Sequence, residues 1–163
     1  MSKAIIRPIQ PDDNPAVKNL VLETLAEFGL YGEGFAGVDE ELEDMYAAYS
    51  DELSAYYVVE YKHQIMGVGG YAPLLGTKPG TTAELRKMYL TAPLRGQGLG
   101  QKLIDLCIKE AKEKQYTTMY LETVPAMKAA QALYLKNGFK YSDRMGDTGH
   151  CNCSVTMVRH FNV

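Results

Sequence analysis

Three glycines at alternate positions, Gly96, Gly98 and Gly100, constrain this chain more than any other feature. They follow a strand-like run, residues 83–90, and open a long amphipathic run, residues 97–115. Glycine permits positive φ and close approach of the backbone to a ligand. The first amides of a helix have no partners inside it and can bind an anion. The helix dipole adds about half a positive charge at that end, and Arg95 adds a full one. Strand, glycine turn and helix start together make an anion cradle. The spacing is neither that of a P-loop, which needs Gly-Lys-Ser/Thr, nor that of the dinucleotide fingerprint G-x-G-x-x-G. On glycine spacing alone, a plain strand-to-helix connection reads equally well.

The length of 163 residues allows one domain, residues 1–163, with a sizeable core. A net charge of −3 gives no general attraction to nucleic acid. No apolar run is long enough for a membrane span, and the start lacks the apolar region of a signal peptide. Three cysteines, an odd count, suit a reducing compartment, so a cytoplasmic location is expected. A homodimer is left open.

Along the chain, residues 4–9 read as a first strand, and Val17, Leu20, Val21, Leu25 and Phe28 recur at helical spacing after Pro15. A glycine-rich loop follows, carrying Tyr31 and Phe35. Residues 39–48 read as an acidic helix whose Asp39, Glu40, Glu41, Glu43 and Asp44 form a solvated face, with attraction of a cationic amine as the alternative. Two β-rich runs around Lys62-His63-Gln64 predict a hairpin, and Gly67, Gly69 and Gly70 predict a bulge or close backbone approach in its second strand. In residues 83–90 the apolar pattern slips phase between Leu85 and Met88, which a β-bulge repairs. Residues 117–122 form a strand reached by a helical crossover, hence parallel to the previous one. A helix opens near Thr123 and Pro125 and ends at Gly138. Residues 139–141 and 154–159 are the last strands, with a turn at 146–150 between them. His150, Cys151, Cys153 and His160 are too sparse a set for a zinc site, and no metal is expected.

Two stretches carry a resemblance. Arg95, Gly98 and Gly100 fill the pattern Arg/Gln-x-x-Gly-x-Gly/Ala, and Ala132-Leu133-Tyr134-Leu135-Lys136-Asn137-Gly138-Phe139 is similar to Ala-Leu-Tyr-x-x-x-Gly-Phe. These resemble motifs A and B of the GNAT superfamily of N-acetyltransferases, in the right order. The resemblance implies a single-domain α/β (α+β) fold: a mixed, mostly antiparallel sheet of six or seven strands with helices on both faces. It implies acetyl-CoA as cosubstrate, held in a V between the parallel fourth and fifth strands. Backbone of Met88, Tyr89 and Leu90 would meet the pantetheine arm, and Arg95, Gly96, Gln97, Gly98, Leu99, Gly100 and Gln101 the pyrophosphate. An amide near Met88 would steady the oxyanion.

Further roles follow from the same resemblance. Glu84, opening the bulged strand, is the candidate base. A carboxylate ordinarily titrates at about 4.3, so burial or a bridging water has to help. Pairing with Lys87 or Arg86 is the plain alternative. Tyr134 is the candidate acid toward the leaving thiolate; a core tyrosine is its alternative. The acceptor side is implied for the loop with Tyr31 and Phe35, and His150 is a second candidate base. Met127 stands where many relatives carry Asn. The expected activity is direct acetyl transfer to a primary amine of a small molecule or peptide. The alternatives are a non-catalytic acyl-CoA-binding domain and a transferase of another acyl group.

Overall fold

The computed structural model describes residues 3–30, 37 and 39–161. Tyr31 and Phe35 lie outside the described residues. Seven strands form one sheet: β1 (Ile5–Pro8), β2 (Ala55–Tyr61), β3 (Gln64–Pro73), β4 (Thr82–Leu90), β5 (Thr118–Thr123), β6 (Lys140–Tyr141) and β7 (Val155–His160), in the order β1-β2-β3-β4-β5-β7-β6. The pair β4–β5 is parallel and the others are antiparallel.

Alternation along the strands sorts the core onto two faces. Helix α1 (Asn14–Glu27) sets Val17, Leu20, Val21 and Leu25 against Val58 and Val68. On the other face, helix α3 (Leu99–Glu113) sets Ile104, Cys107 and Ala111 against Leu85, Met119 and Leu121. Helix α4 (Lys128–Lys136) joins that layer through Tyr134. Among the described residues no helix is long and apolar enough to cross a membrane.

The predicted hairpin turns on Lys62 and His63, both left-handed with φ of 51° and 64°, as a two-residue loop matched to strand twist requires. A Cβ on Gly70 would lie 2.2 Å from the Ala55 carbonyl oxygen, so backbone proximity explains that glycine. Three boundaries differ from the sequence expectation. The acidic stretch is not one helix: a 3-10 turn, Glu40–Glu43, is separated by Asp44 from the short helix α2, Met45–Ala48. The Asp44 carboxylate accepts from the Ala47 amide at 3.0 Å and from Asn14, so it caps α2 rather than continuing a helix. Helix α3 begins at Leu99 because Gly98, left-handed at φ 80°, is its N-cap. Helix α4 begins at Lys128, beyond Thr123 and Pro125.

Candidate active site

Strands β4 and β5 pair only at Thr82–Thr118, Ala83–Met119 and Glu84–Tyr120. Beyond Glu84 they part, and a cavity opens between them. Glu84, Met88, Tyr89, Glu122, Tyr134 and His150 are among its lining residues.

The bulge lies at Lys87. Its φ is 45°, and the β3–β4 register shifts between Val68 and Gly70. The extra residue lets Leu85, Met88 and Leu90 all pack on the α3 face while Tyr89 packs toward α1. Two contacts hold the bulge. The Tyr56 hydroxyl donates to the Lys87 carbonyl at 2.8 Å. The Lys87 ammonium, its side chain 2% exposed, donates to Asp39 and Glu41 at 2.6 Å each. Asp39 and Glu41 are therefore not a solvated face: they are drawn inward to cancel a buried cation. Glu40, Glu43 and Asp44 stay exposed, Glu43 paired with Lys18.

The glycine turn follows β4 past Leu90, beyond the point where the two strands part. Gly96 and Gly98 have φ of 76° and 80°, and a Cβ at either would meet nothing within 4 Å. The space above them is open. Lys102 donates to the Gly98 carbonyl at 3.1 Å as the first bond of α3. The amides of Leu99, Gly100 and Gln101 are thus left without helical partners. Gly100 has a different reason: a Cβ there would come 3.0 Å from Leu133 of α4, so it serves helix packing. The Leu99 side chain is core, and that of Gln101 is tied to Asp105 and Asn137 at 2.8 and 2.6 Å. Gln97 donates to the Pro93 carbonyl at 2.7 Å. Arg95 is not free in this state: its guanidinium grips Glu27 at 2.6 and 2.9 Å and the Leu90 carbonyl at 2.9 Å.

Charged side chains line the cavity. Glu84 is 4% exposed and accepts from Arg86 Nε at 2.6 Å. Burial pushes its carboxyl above the usual carboxylate range, against the pull of the Arg86 guanidinium. Glu122 is enclosed by three donors: the Tyr120 hydroxyl at 2.6 Å, Arg144 at 2.9 Å and the Thr148 hydroxyl. His150 Nε2 sits 3.0 and 2.8 Å from the two Asp39 oxygens. Burial alone would raise Asp39, but His150 and Lys87 outweigh it and hold the carboxyl low. One donor atom each of Glu84, Glu122 and His150 lie within 4.8 Å of one another.

Tyr134 lines the cavity with Glu84 and His150. Burial raises its phenol to about 12, so it is protonated at neutral pH. Met127 lines the cavity, its sulfur 3.6 Å from the Thr123 hydroxyl. Cys153 also lines it, which the motifs did not place there; burial lifts its thiol to about 11, so no thiolate is offered for covalent catalysis. His160 stands at the far end of β7, bonded to Thr118 at 3.0 Å, apart from the loop that carries His150. Asp39, Lys87 and Glu122 were not singled out as site residues from the sequence. Asp39 was read as surface, and an isolated Glu at a strand end carries no signal.

Comparison with known proteins agrees with this architecture. Residues 20–139 match the acetyltransferase (GNAT) family. The chain is 39% identical over 157 residues to the uncharacterized N-acetyltransferase YjgM of Escherichia coli (strain K12), spanning 95% of this chain and 93% of that protein. In fold it resembles an acetyltransferase of the GNAT family from Staphylococcus aureus Mu50, with TM-score 0.84, 21% identity and coverage of 97% and 99% of the two chains. It also resembles the PaiA N-acetyltransferase of Thermoplasma acidophilum solved with coenzyme A, with TM-score 0.75, 18% identity and coverage of 98% and 99%. Motifs, strand order and family match converge: the chain is an acyltransferase belonging to the acetyltransferase (GNAT) family.

Proposed function

We propose that the chain is an acetyl-CoA-dependent N-acetyltransferase that moves the acetyl group directly to a primary amine of a small molecule or peptide. The observation that carries this is the parting of β4 and β5 just past Glu84, which leaves backbone of a bulged strand facing an open cleft. The cleft has an amide cradle at one end and a buried carboxylate at the other.

The residues present fit the cosubstrate. Unpartnered amides at Leu99, Gly100 and Gln101, with open space over Gly96 and Gly98, suit a pyrophosphate. Arg95 can turn from the exposed Glu27 to a phosphate at small cost. Backbone of Met88, Tyr89 and Leu90 would hold the pantetheine arm as an added strand does. When bound, acetyl-CoA supplies the activated acetyl thioester.

The chain's own residues then have four tasks. Glu84 draws the proton from the acceptor amine, and its burial makes it a better base than an exposed carboxylate. The Met88 amide donates to the carbonyl oxygen where negative charge grows. Tyr134, protonated and without a hydrogen-bond partner among the described residues, gives its proton to the departing sulfur and is restored by the second proton that the acetylated nitrogen sheds. The apolar walls at Leu121, Val124 and Met127 keep water from the site.

The acceptor's charge follows less simply from the acidic stretch. Asp39 and Glu41 are cancelled by Lys87. Glu84 and Glu122, each paired with an arginine, are the carboxylates that line the cavity and would face an ammonium. A free-thiol release assay with acetyl-CoA over amines, amino acids and peptides tests the reading. Turnover is expected with at least one primary amine; acetyl-CoA binding with none turned over would overturn it.

A further inference from the structure

Glu84 has a problem the proposed reaction does not solve. At 4% exposure it has no ready route to solvent for the proton it takes, and a carboxyl that keeps that proton cannot serve the next turnover. His150 stands where such a route would begin. Its ring is within 4.8 Å of both Glu84 and Glu122, a span that one water bridges, and its side chain is 14% exposed.

The ring is held in one orientation. Asp39 receives Nε2 with both oxygens. An ionised carboxylate only accepts, so Nε2 carries the hydrogen and Nδ1 keeps its lone pair. Asp39 itself is fixed by Lys87 at the bulge of β4. The loop that carries His150 is tied down independently. Arg144 donates to the carbonyls of His150 and Cys153 at 3.3 and 2.7 Å, and the Met145 amide donates to the Tyr120 hydroxyl at 3.2 Å. These ties bring residues from four separate segments into one line.

We infer that His150, oriented by Asp39, relays to solvent the proton that Glu84 takes from the acceptor amine. This rests on the acetyltransferase reading and adds its missing step. The balance is simple: the ammonium loses a proton to the Glu84 carboxylate, Glu84 passes it through a bridging water to Nδ1, and the imidazolium releases it to bulk water. The anionic groups facing His150 are Asp39 against the ring, with Glu84 and Glu122 beyond it. Lys87, Arg86 and Arg144 are the nearby opposing charges, each already paired with a carboxylate, and Cys153 and Tyr89 are neutral. Asp39 acts through His150 and is a positioning residue.

The test uses the full chain and the amine that the thiol-release assay selects. His150→Ala is expected to lower kcat by about tenfold to a hundredfold with coenzyme affinity unchanged, and imidazole added to the buffer should restore turnover. The kcat–pH profile of that variant should differ from the parent's. Asp39→Asn should give a smaller fall that imidazole does not rescue. On the unaltered chain, nitrogen-15 NMR should show a pyridine-type Nδ1 and a protonated Nε2. Parental kcat and pH profile in His150→Ala, failure of imidazole to rescue a folded variant, or a protonated Nδ1 with bare Nε2 would each overturn the relay. Absence of turnover in the parent would instead strike the acetyltransferase reading, and the NMR measurement would still decide the Asp39–His150 pairing on which the relay depends.

Discussion

At the glycine end of the cleft the proposed binding groups are main-chain amides on neighbouring residues, Gly96 to Gln101, under open space. At the acidic end they are side chains drawn from Asp39, Glu84, Glu122 and His150, each on a different segment and each held by partners. The first end is set by local conformation, the second by tertiary contact. Damage to the first should therefore cost binding alone, while damage to the second should cost stability and chemistry together. Four substitutions test this contrast.

Gly98→Glu has the largest expected effect. Its φ of 80° disfavours any side chain, and a carboxylate there repels phosphate. Coenzyme affinity measured by calorimetry should fall by more than about a hundredfold, while the fold persists because a Cβ meets nothing within 4 Å. Wild-type affinity would remove the cradle from the site. Lys87→Met comes next. It leaves Asp39 and Glu41 facing each other without their cation, and denaturant unfolding should show a loss of about 3 kcal/mol. The acceptor KM should rise more than the coenzyme Kd; equal changes in both would show that the two ends are not separable.

Tyr134→Phe removes one hydroxyl and no packing volume to speak of. It should lower kcat by about tenfold to a hundredfold with coenzyme affinity preserved, and an unchanged kcat would take Tyr134 out of the reaction. Glu27→Gln is the mildest. The Arg95–Glu27 pair is exposed at both partners, so the melting temperature should not move measurably. Freeing Arg95 should tighten coenzyme binding about twofold, and weakened binding would mean that Glu27 poises the guanidinium rather than competing for it.

The same contrast explains what the amino-acid order disclosed. Residues 83–100 announced a bulged strand, a glycine turn and a helix because each depends on neighbours a few positions away. The bulge showed as a slip between Leu85 and Met88, and the structure sets it at Lys87. The parallel β4–β5 pair followed from the crossover, as connection rules require. The acidic stretch misleads because closely spaced acids, Asp39 to Asp44 around Leu42, look like a solvent face unless the buried lysine that draws two of them in is known, and Lys87 lies 46 or more residues away. Glu122 was silent for a like reason. Its role comes from Tyr120, Arg144 and Thr148 folding over one carboxylate, which no spacing rule encodes. The sequence did mark His150, by its chemistry and its place before the last strand, while its partner Asp39 sits 111 positions away.

The separation of β4 from β5 past Glu84 has one more consequence. A sheet that comes unzipped in its middle carries a frayed seam indoors, where an ordinary domain would hide none. Until something extended fills that seam, the polar main chain along it must be satisfied by solvent. Deuterium should accordingly enter this stretch early, in the midst of strands that exchange late, and a molecule laid along the seam should slow that entry even if it is never transformed.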